Sequence, residues 1–322
     1  MSVFIEPKQS RFVRNVVEFI GLLILVFLVR TFGFGLYQVP SGSMETTMLV
    51  GERFAADKCT YLFRSPKRGE IIAFNDTMYT YSKNRFMNLF EHYVYGPSNI
   101  TKRVIGLPGD IIEGKIEDDK PVIYINGQKF DEPYLNKYPL LNVYNEDKNM
   151  LIAQIDREIS GLLRGRAVDP VILDTYRMQK LAYHIKTVSY DTAFSYEKQP
   201  FYCVKPDRVV TDAEGNPLLI YPATIVPQSI ERVTRGKNYW QGADTFYVEL
   251  AEDEFWVMGD NRLGSKDSRW FGPIKHQLIH GRIVFRIWSI DSDESWWILD
   301  LFKHPVDFWQ RVRWSRFFQI LS

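Results

Sequence analysis

Apolar residues run unbroken by charge from Phe19 to Val29, and a wider reading from Val16 to Tyr37 carries only Glu18 and Arg30. Three readings compete for such a segment: a transmembrane helix, a cleavable signal sequence and a helix lying in the membrane interface. Val29-Arg30-Thr31-Phe32 is bulky and charged where a cleavage site needs small side chains, so a retained anchor is the expected reading. Lys8, Arg11 and Arg14 precede it against Glu6 alone, which predicts a cytoplasmic N-terminus and an extracytoplasmic body after Tyr37.

Beyond the anchor the pattern changes to short β-type runs: Gly69 to Phe74, Val122 to Ile125, Thr245 to Leu250 and Gly281 to Arg286. Gly, Pro, Asn and Asp flank them, and Asn126-Gly127 has the composition of a hairpin turn. One stretch departs from this. Leu151, Ile155, Ile159 and Leu162 keep helical spacing, and Asp169-Pro170 supplies a cap and first-turn pair before a second periodic run, predicting helices over about 147–164 and 170–186. The expected fold is mainly β: an N-terminal transmembrane helix, then an antiparallel β body with an inserted smaller β/α subdomain. In residue ranges, 1–37 is expected as cytoplasmic terminus and anchor, 38–112 and 251–292 as the main β domain, 113–250 as the inserted cap, and 293–322 as an aromatic and basic tail.

Composition narrows the function classes. A 45% hydrophobic chain with 25% charged residues has the means to build a core, which excludes disorder as its main state. Forty basic side chains against 39 acidic leave a formal charge of +1, so no global field attracts nucleic acid. Cys59 and Cys203 are too few for a disulfide framework, with a single bridge left open. Aromatics crowd Trp288 to Phe318, which suits either contact with lipid or ordinary packing.

Three segments carry chemistry. Pro40-Ser41-Gly42-Ser43-Met44 follows the anchor, and by itself such a Ser-Gly stretch is an ordinary loop. A serine hydroxyl needs a base to become a nucleophile near neutral pH. His92, His184, His276, His280 and His304 stand in no recognisable catalytic motif, and no G-x-S-x-G elbow occurs. A lysine serves as base when burial keeps its amine neutral, and Lys102 lies on the β-type run Asn99 to Ile105, which a Pro108-Gly109-Asp110 turn follows. Considered alone, that run also reads as a strand with two exposed basic residues. Val257 to Arg269 is a strand end leading into a polar loop, whose hydrogen-bonding side chains suit either a rigid support for a site or a plain surface loop.

In combination and order, these segments resemble the type I signal peptidases, Ser-Lys dyad serine proteases. Pro40 to Met44 looks like the family's nucleophile box, Lys102-Arg103 with Gly106 to Asp110 its lysine box, and Gly259 to Arg269 its third box. Lys67-Arg68-Gly69-Glu70, Trp288-Ser289-Ile290-Asp291 and Arg313-Trp314-Ser315-Arg316 extend the resemblance over most of the chain except about 130–240. The resemblance implies removal of signal peptides after small-x-small sites, with Ser43 as nucleophile and Lys102 as general base. It makes the Ser43 N–H and the Ser41 hydroxyl the oxyanion donors and Ser265 the hydroxyl that orients the lysine. Asp260, Asp267 and Arg269 support the third box, and Val39, Met44, Met48, Ile100, Val257 and Met258 line shallow substrate pockets or simply pack the core.

The implied partners are preprotein signal peptides, membrane lipid and the protein export machinery, with no nucleic acid. The implied location is the bacterial inner (cytoplasmic) membrane, single-pass, and no cofactor or metal is implied. Two departures stand out. Glu45-Thr46-Thr47-Met48 lacks the proline that usually follows the variable residue after Met44, and residues 140–200 match no family pattern. Two rivals are a soluble self-cleaving Ser-Lys repressor, which lacks support in an anchored chain with no helix-turn-helix, and a silent scaffold, which has no use for Ser41, Ser43, Lys102 and Ser265 together.

Overall fold

A computed structural model describes residues 8–93, 95–163, 169–221, 243–292 and 297–321. Glu6, used above for charge asymmetry, residues 222–242 of the expected cap and position 164 of the expected first cap helix lie outside them.

The helix Lys8–Leu28 continues through a wider turn, Val29–Gly33. Over Phe12–Gly33 it is long and apolar enough to cross a membrane, with mean hydropathy 2.3 and no part of that window buried inside the chain. The wider apolar reading overshoots. Phe34–Gln38 is a strand paired antiparallel with Arg53–Asp57, because once the helix ends at Gly33 the alternating residues of Phe34 to Gln38 find a sheet edge.

The body is built from antiparallel sheets. The main one runs Phe34–Gln38, Arg53–Asp57, Ile279–Trp288, Ile71–Asn75, Asn99–Gly106, Glu254–Met258, Ile274–Lys275, and Gln319–Ile320 adds to the far side of the long strand. Phe54, Ile72, Phe74, Val104, Phe255 and Val257 are buried in it. A second sheet joins Phe246–Glu249, Ile111–Glu117, Lys120–Ile125 and Gln128–Lys129, and its last hairpin turns at Asn126 and Gly127, with φ of 52° and 79°. That is the left-handed geometry an Asn-Gly pair supplies.

Within the expected cap, Leu140–Tyr144 pairs with Ile185–Ser189 and Leu219–Ile220, and two helices lie between the first two strands. Lys148–Leu163 buries Leu151, Ile155 and Ile159, while Leu162 faces solvent. Asp169 caps Pro170–Ala182 by accepting from Val171 N at 2.8 Å. This helix stops at Ala182 rather than near 186, because Ile185 onward is needed as a strand opposite Tyr144. The C-terminal aromatics divide: Phe308 is fully buried with Ile290 and Val312, whereas Phe302, Trp309, Trp314 and Phe318 stay exposed, and Arg311 pairs with Asp300 at 2.6 Å. Cys59 and Cys203 are both free.

Candidate active site

The chain leaves Phe34–Gln38 through Val39-Pro40 and folds into the short 3₁₀ turn Gly42–Met44. Met44 and Met48 fix this turn from below, buried with Val39, Phe54, Ile71 and Ala73. Lys102 projects from a strand flanked on both sides, by Ile71–Asn75 and Glu254–Met258, and only 4% of it is exposed. Its Nζ lies 2.7 Å from Ser43 Oγ and 3.0 Å from Thr101 O. Burial pushes the amine down from 10.5 to about 8; Asp267 and Asp260 pull it back up, and Arg269 opposes them. A hydroxyl in contact with a lysine of that basicity meets the requirement for base-assisted attack.

Polar groups behind the dyad hold it in register. Asp260 receives Arg103 Nε at 2.9 Å and Nη2 at 2.8 Å in a buried two-point pair, and Thr47 Oγ1 at 2.5 Å. Asn261 donates from its backbone to Ser43 O at 3.1 Å and from Nδ2 to Gly42 O at 2.9 Å, so the third box grips the nucleophile turn directly. Asp267 receives Gly259 N at 3.0 Å and Arg269 Nε at 2.9 Å, and Arg269 Nη1 reaches Asp244 at 2.5 Å. Burial alone raises the Asp267 carboxyl, but Arg269 and these hydrogen bonds hold it below its ordinary value.

Gly259 is the tightest point. A side chain there would place its Cβ 2.3 Å from Ser265 Oγ and 2.4 Å from Ser43 O. Since the second of these atoms is backbone, Gly259→Ala is expected to displace the nucleophile and lower kcat on the order of 10²-fold, read from single-turnover cleavage. Retention of full kcat would remove Gly259 from the positioning of Ser43.

The remaining expected residues distribute unevenly. Ser41 is exposed beside Ser43 and makes no side-chain capping bond to the turn. Ser265 Oγ does not bond Lys102; it is buried without a well-formed hydrogen bond, near enough to Asp267 to help hold that carboxyl low. The six pocket residues do not share one wall. Val39, Met44 and Met48 belong to one core cluster, Val257 and half-buried Ile100 to a second, and Met258 to a third.

Sequence reasoning assigned no role to Arg103, Thr47, Gly259 or Glu45. Arg103 stands beside Lys102 inside the same box and Gly259 opens the third, which was the available signal. Glu45 had none. It is 1% exposed, and its carboxylate accepts from Ser189 N at 3.0 Å, Ser189 Oγ at 2.5 Å and Tyr202 OH at 2.5 Å. Burial raises this carboxyl, and the three hydrogen bonds work against that rise. Asn136 completes the link, donating Nδ2 to Ser189 Oγ at 2.7 Å and its backbone N to Asp260 O at 2.9 Å.

Residues 12–288 match the family model for signal peptidase, peptidase S26. The chain is 26% identical over 296 residues to signal peptidase I of Buchnera aphidicola subsp. Acyrthosiphon pisum, covering 91% of this chain and 80% of that protein. It is 36% identical over 134 residues to signal peptidase I P of Bacillus subtilis subsp. natto, covering 40% of this chain and 61% of that one. A signal peptidase I structure from Enterococcus faecalis aligns over 68% of this chain and 97% of its own at 18% identity, with a TM-score of 0.25. With the match spanning the anchor, the nucleophile turn, the lysine strand and the third box, this chain belongs to the signal peptidase family.

Proposed function

We propose that this serine peptidase, which removes signal peptides from preproteins, does so with Ser43 as nucleophile and Lys102 as general base, cutting after small-x-small sequences. The carrying observation is the 2.7 Å contact between Ser43 Oγ and a buried amine of lowered basicity. Ser43 Oγ attacks the scissile carbonyl carbon as its proton passes to Lys102 Nζ. The oxyanion is met by the Ser43 N–H and the exposed Ser41 hydroxyl. Collapse breaks the C–N bond, and the leaving amine, the new N-terminus of the mature protein, takes the proton from Lys102. Lys102 then deprotonates the water that attacks the ester and passes that proton to Ser43 Oγ as the C–O bond breaks, releasing the signal peptide with a free carboxylate.

Once Ser43 Oγ is acylated, Lys102 needs another partner, and the unpaired Ser265 hydroxyl is suited to supply it. The signal peptide binds as an added strand, with Val39, Met44, Met48, Ile100, Val257 and Met258 shaping what its small side chains touch. Asp260, Asp267 and Arg269 hold the loop that carries Ser265. In this reading 38–112 and 251–292 form the catalytic body, 113–250 its cap and 293–322 its tail. The helix Lys8–Leu28 anchors the protein in the bacterial cytoplasmic membrane, with its N-terminus cytoplasmic on the strength of Lys8, Arg11 and Arg14, close to lipid and to the export machinery.

The test is cleavage of a preprotein bearing Ala-x-Ala by the detergent-solubilised full chain, followed across pH. The cut is expected after the second alanine. Only the neutral amine is a base, so kcat is expected to rise with pH through about 8 and level above it. About a tenth of the sites are competent at pH 7 and about nine tenths at pH 9. A flat profile between those limits sinks Lys102 as the base.

A further inference from the structure

The helix Arg85–Tyr93, between the strands Ile71–Asn75 and Asn99–Gly106, is amphipathic the wrong way round for water. Its polar residues face the protein. Asn88 Nδ2 donates to Ser82 O at 3.3 Å, Glu91 accepts from Ser82 N at 2.7 Å, and His92 stacks on Tyr81 with ring centroids 4.1 Å apart. Tyr81 in turn bonds Asn75, at the end of an interior strand of the main sheet. The apolar residues at helical spacing face out: Phe86 is 75% exposed, Leu89 57% and Phe90 40%. A surface helix in water buries its apolar stripe against the core and turns its amides and carboxylates to solvent. A contiguous apolar surface of this kind marks a contact.

The contact partner follows from where the helix sits. Arg30, Thr31 and Phe32, at the end of the apolar anchor, line one cleft of about 430 Å³ together with His92 from the end of this helix, Tyr95 just beyond it, and Lys58 and Leu62. The anchor end is tied to that place by Lys58 Nζ donating to Arg30 O at 2.9 Å and Cys59 Sγ approaching Phe32 O at 2.9 Å. Leu62 and Phe63, 61% and 87% exposed, extend the apolar surface on the same side, and exposed Lys83 and Arg85 flank its start. Whatever surface the anchor emerges from is therefore within reach of Phe86, Leu89 and Phe90.

We propose that the helix Arg85–Tyr93 lies in the lipid interface on the side where the anchor emerges, with Phe86, Leu89 and Phe90 at the boundary between headgroups and acyl chains and Lys83 and Arg85 among the lipid phosphates. The proposal rests on the anchor reading. It makes the helix a second membrane contact that fixes the tilt of the catalytic body over the bilayer, where a single-helix tether leaves that orientation free.

The test uses the full chain with Cys59→Ser and Cys203→Ser, carrying a single cysteine by Phe90→Cys, Ile24→Cys or Glu214→Cys. Each is labelled with an environment-sensitive fluorophore and reconstituted into phosphatidylcholine–phosphatidylglycerol vesicles containing acyl-chain spin-labelled quencher. Labels at 24 and 90 are expected to be quenched and the label at 214, on the exposed cap surface, to be untouched. Quenching at 24 without quenching at 90 overturns the interface helix and leaves the anchor standing; no quenching at 24 removes the anchor reading and the proposal with it. In a second measurement, Phe86→Glu with Phe90→Glu is expected to lower cleavage of a vesicle-bound preprotein severalfold and leave kcat/KM for a short soluble peptide unchanged. Equal losses on both substrates overturn the proposal by showing damage to the fold.

Discussion

Lys102→Met is expected to yield a chain that cleaves nothing and yet is harder to unfold. On the proposed mechanism the loss of cleavage follows from removing the amine 2.7 Å from Ser43 Oγ. The gain in stability follows from burial. The folded amine titrates near 8 against an ordinary 10.5, so the unfolded chain binds the proton more tightly. That penalty is fully present below about pH 8, fades as pH rises through the interval between the two values, and is gone above 10.5. At pH 7 it is about 3 kcal/mol, and methionine fills the same apolar slot without it. The measurements are preprotein cleavage and thermal or denaturant unfolding at pH 7 and pH 10, with Ser43→Ala as the inactive comparison that leaves the amine in place. Residual turnover in Lys102→Met moves the general base to another residue; a stability loss at pH 7 means the amine is bound more favourably than burial alone allows.

Arg269→Met carries the largest expected cost to the fold. Its guanidinium is 1% exposed and lies between Asp267 and Asp244, at 2.9 and 2.5 Å, while donating to Arg262 O at 2.8 Å. Removing it leaves two buried carboxylates facing one another's side of an apolar gap, which costs about 3–5 kcal/mol. Denaturant unfolding of purified protein reads that loss directly. Activity carries a separate signature. Arg269 holds the Lys102 amine down while Asp267 pulls it up, so the surviving folded enzyme should show its rising pH limb displaced to higher pH. Arg269→Lys restores the charge but not the two-point geometry, and is expected to recover the position of the limb better than the stability. A variant as stable as the parent would show that the triad contributes nothing net to folding.

The Ser43–Lys102 contact was legible because each residue sits in a short local pattern, and the pairing of the three boxes needed only their order along the chain. The β-runs were legible for the same reason, since alternation is a property of neighbours in sequence. What failed was local reading where a distant partner decides. Phe34 to Tyr37 continued the apolar segment until Arg53–Asp57 offered it a sheet edge, and the second cap helix read on to 186 because nothing nearby announces that Ile185 will pair with Tyr144. The outward-facing helix Arg85–Tyr93 was passed over, since its mix of Phe, Leu, Asn and Glu has no clean inward stripe to detect. The ties from Asp244 to Arg269 and from Glu45 to Tyr202 join residues far apart in sequence, and no single-chain pattern encodes them.

The Glu45 tie bears on how this enzyme can be trimmed or can have arisen. Ser189 and Tyr202 come from a segment 144 and 157 residues further along the chain, and together they supply every hydrogen bond the structure gives the Glu45 carboxylate, two positions beyond Ser43. A shortened version lacking that stretch inherits a naked buried charge beside Ser43, so deletion and a neutral replacement at 45 have to be made together. The same logic runs in reverse: Glu45 and the segment that carries Ser189 and Tyr202 form one hydrogen-bonded unit, and grafting either alone onto another scaffold transfers a defect instead of a function.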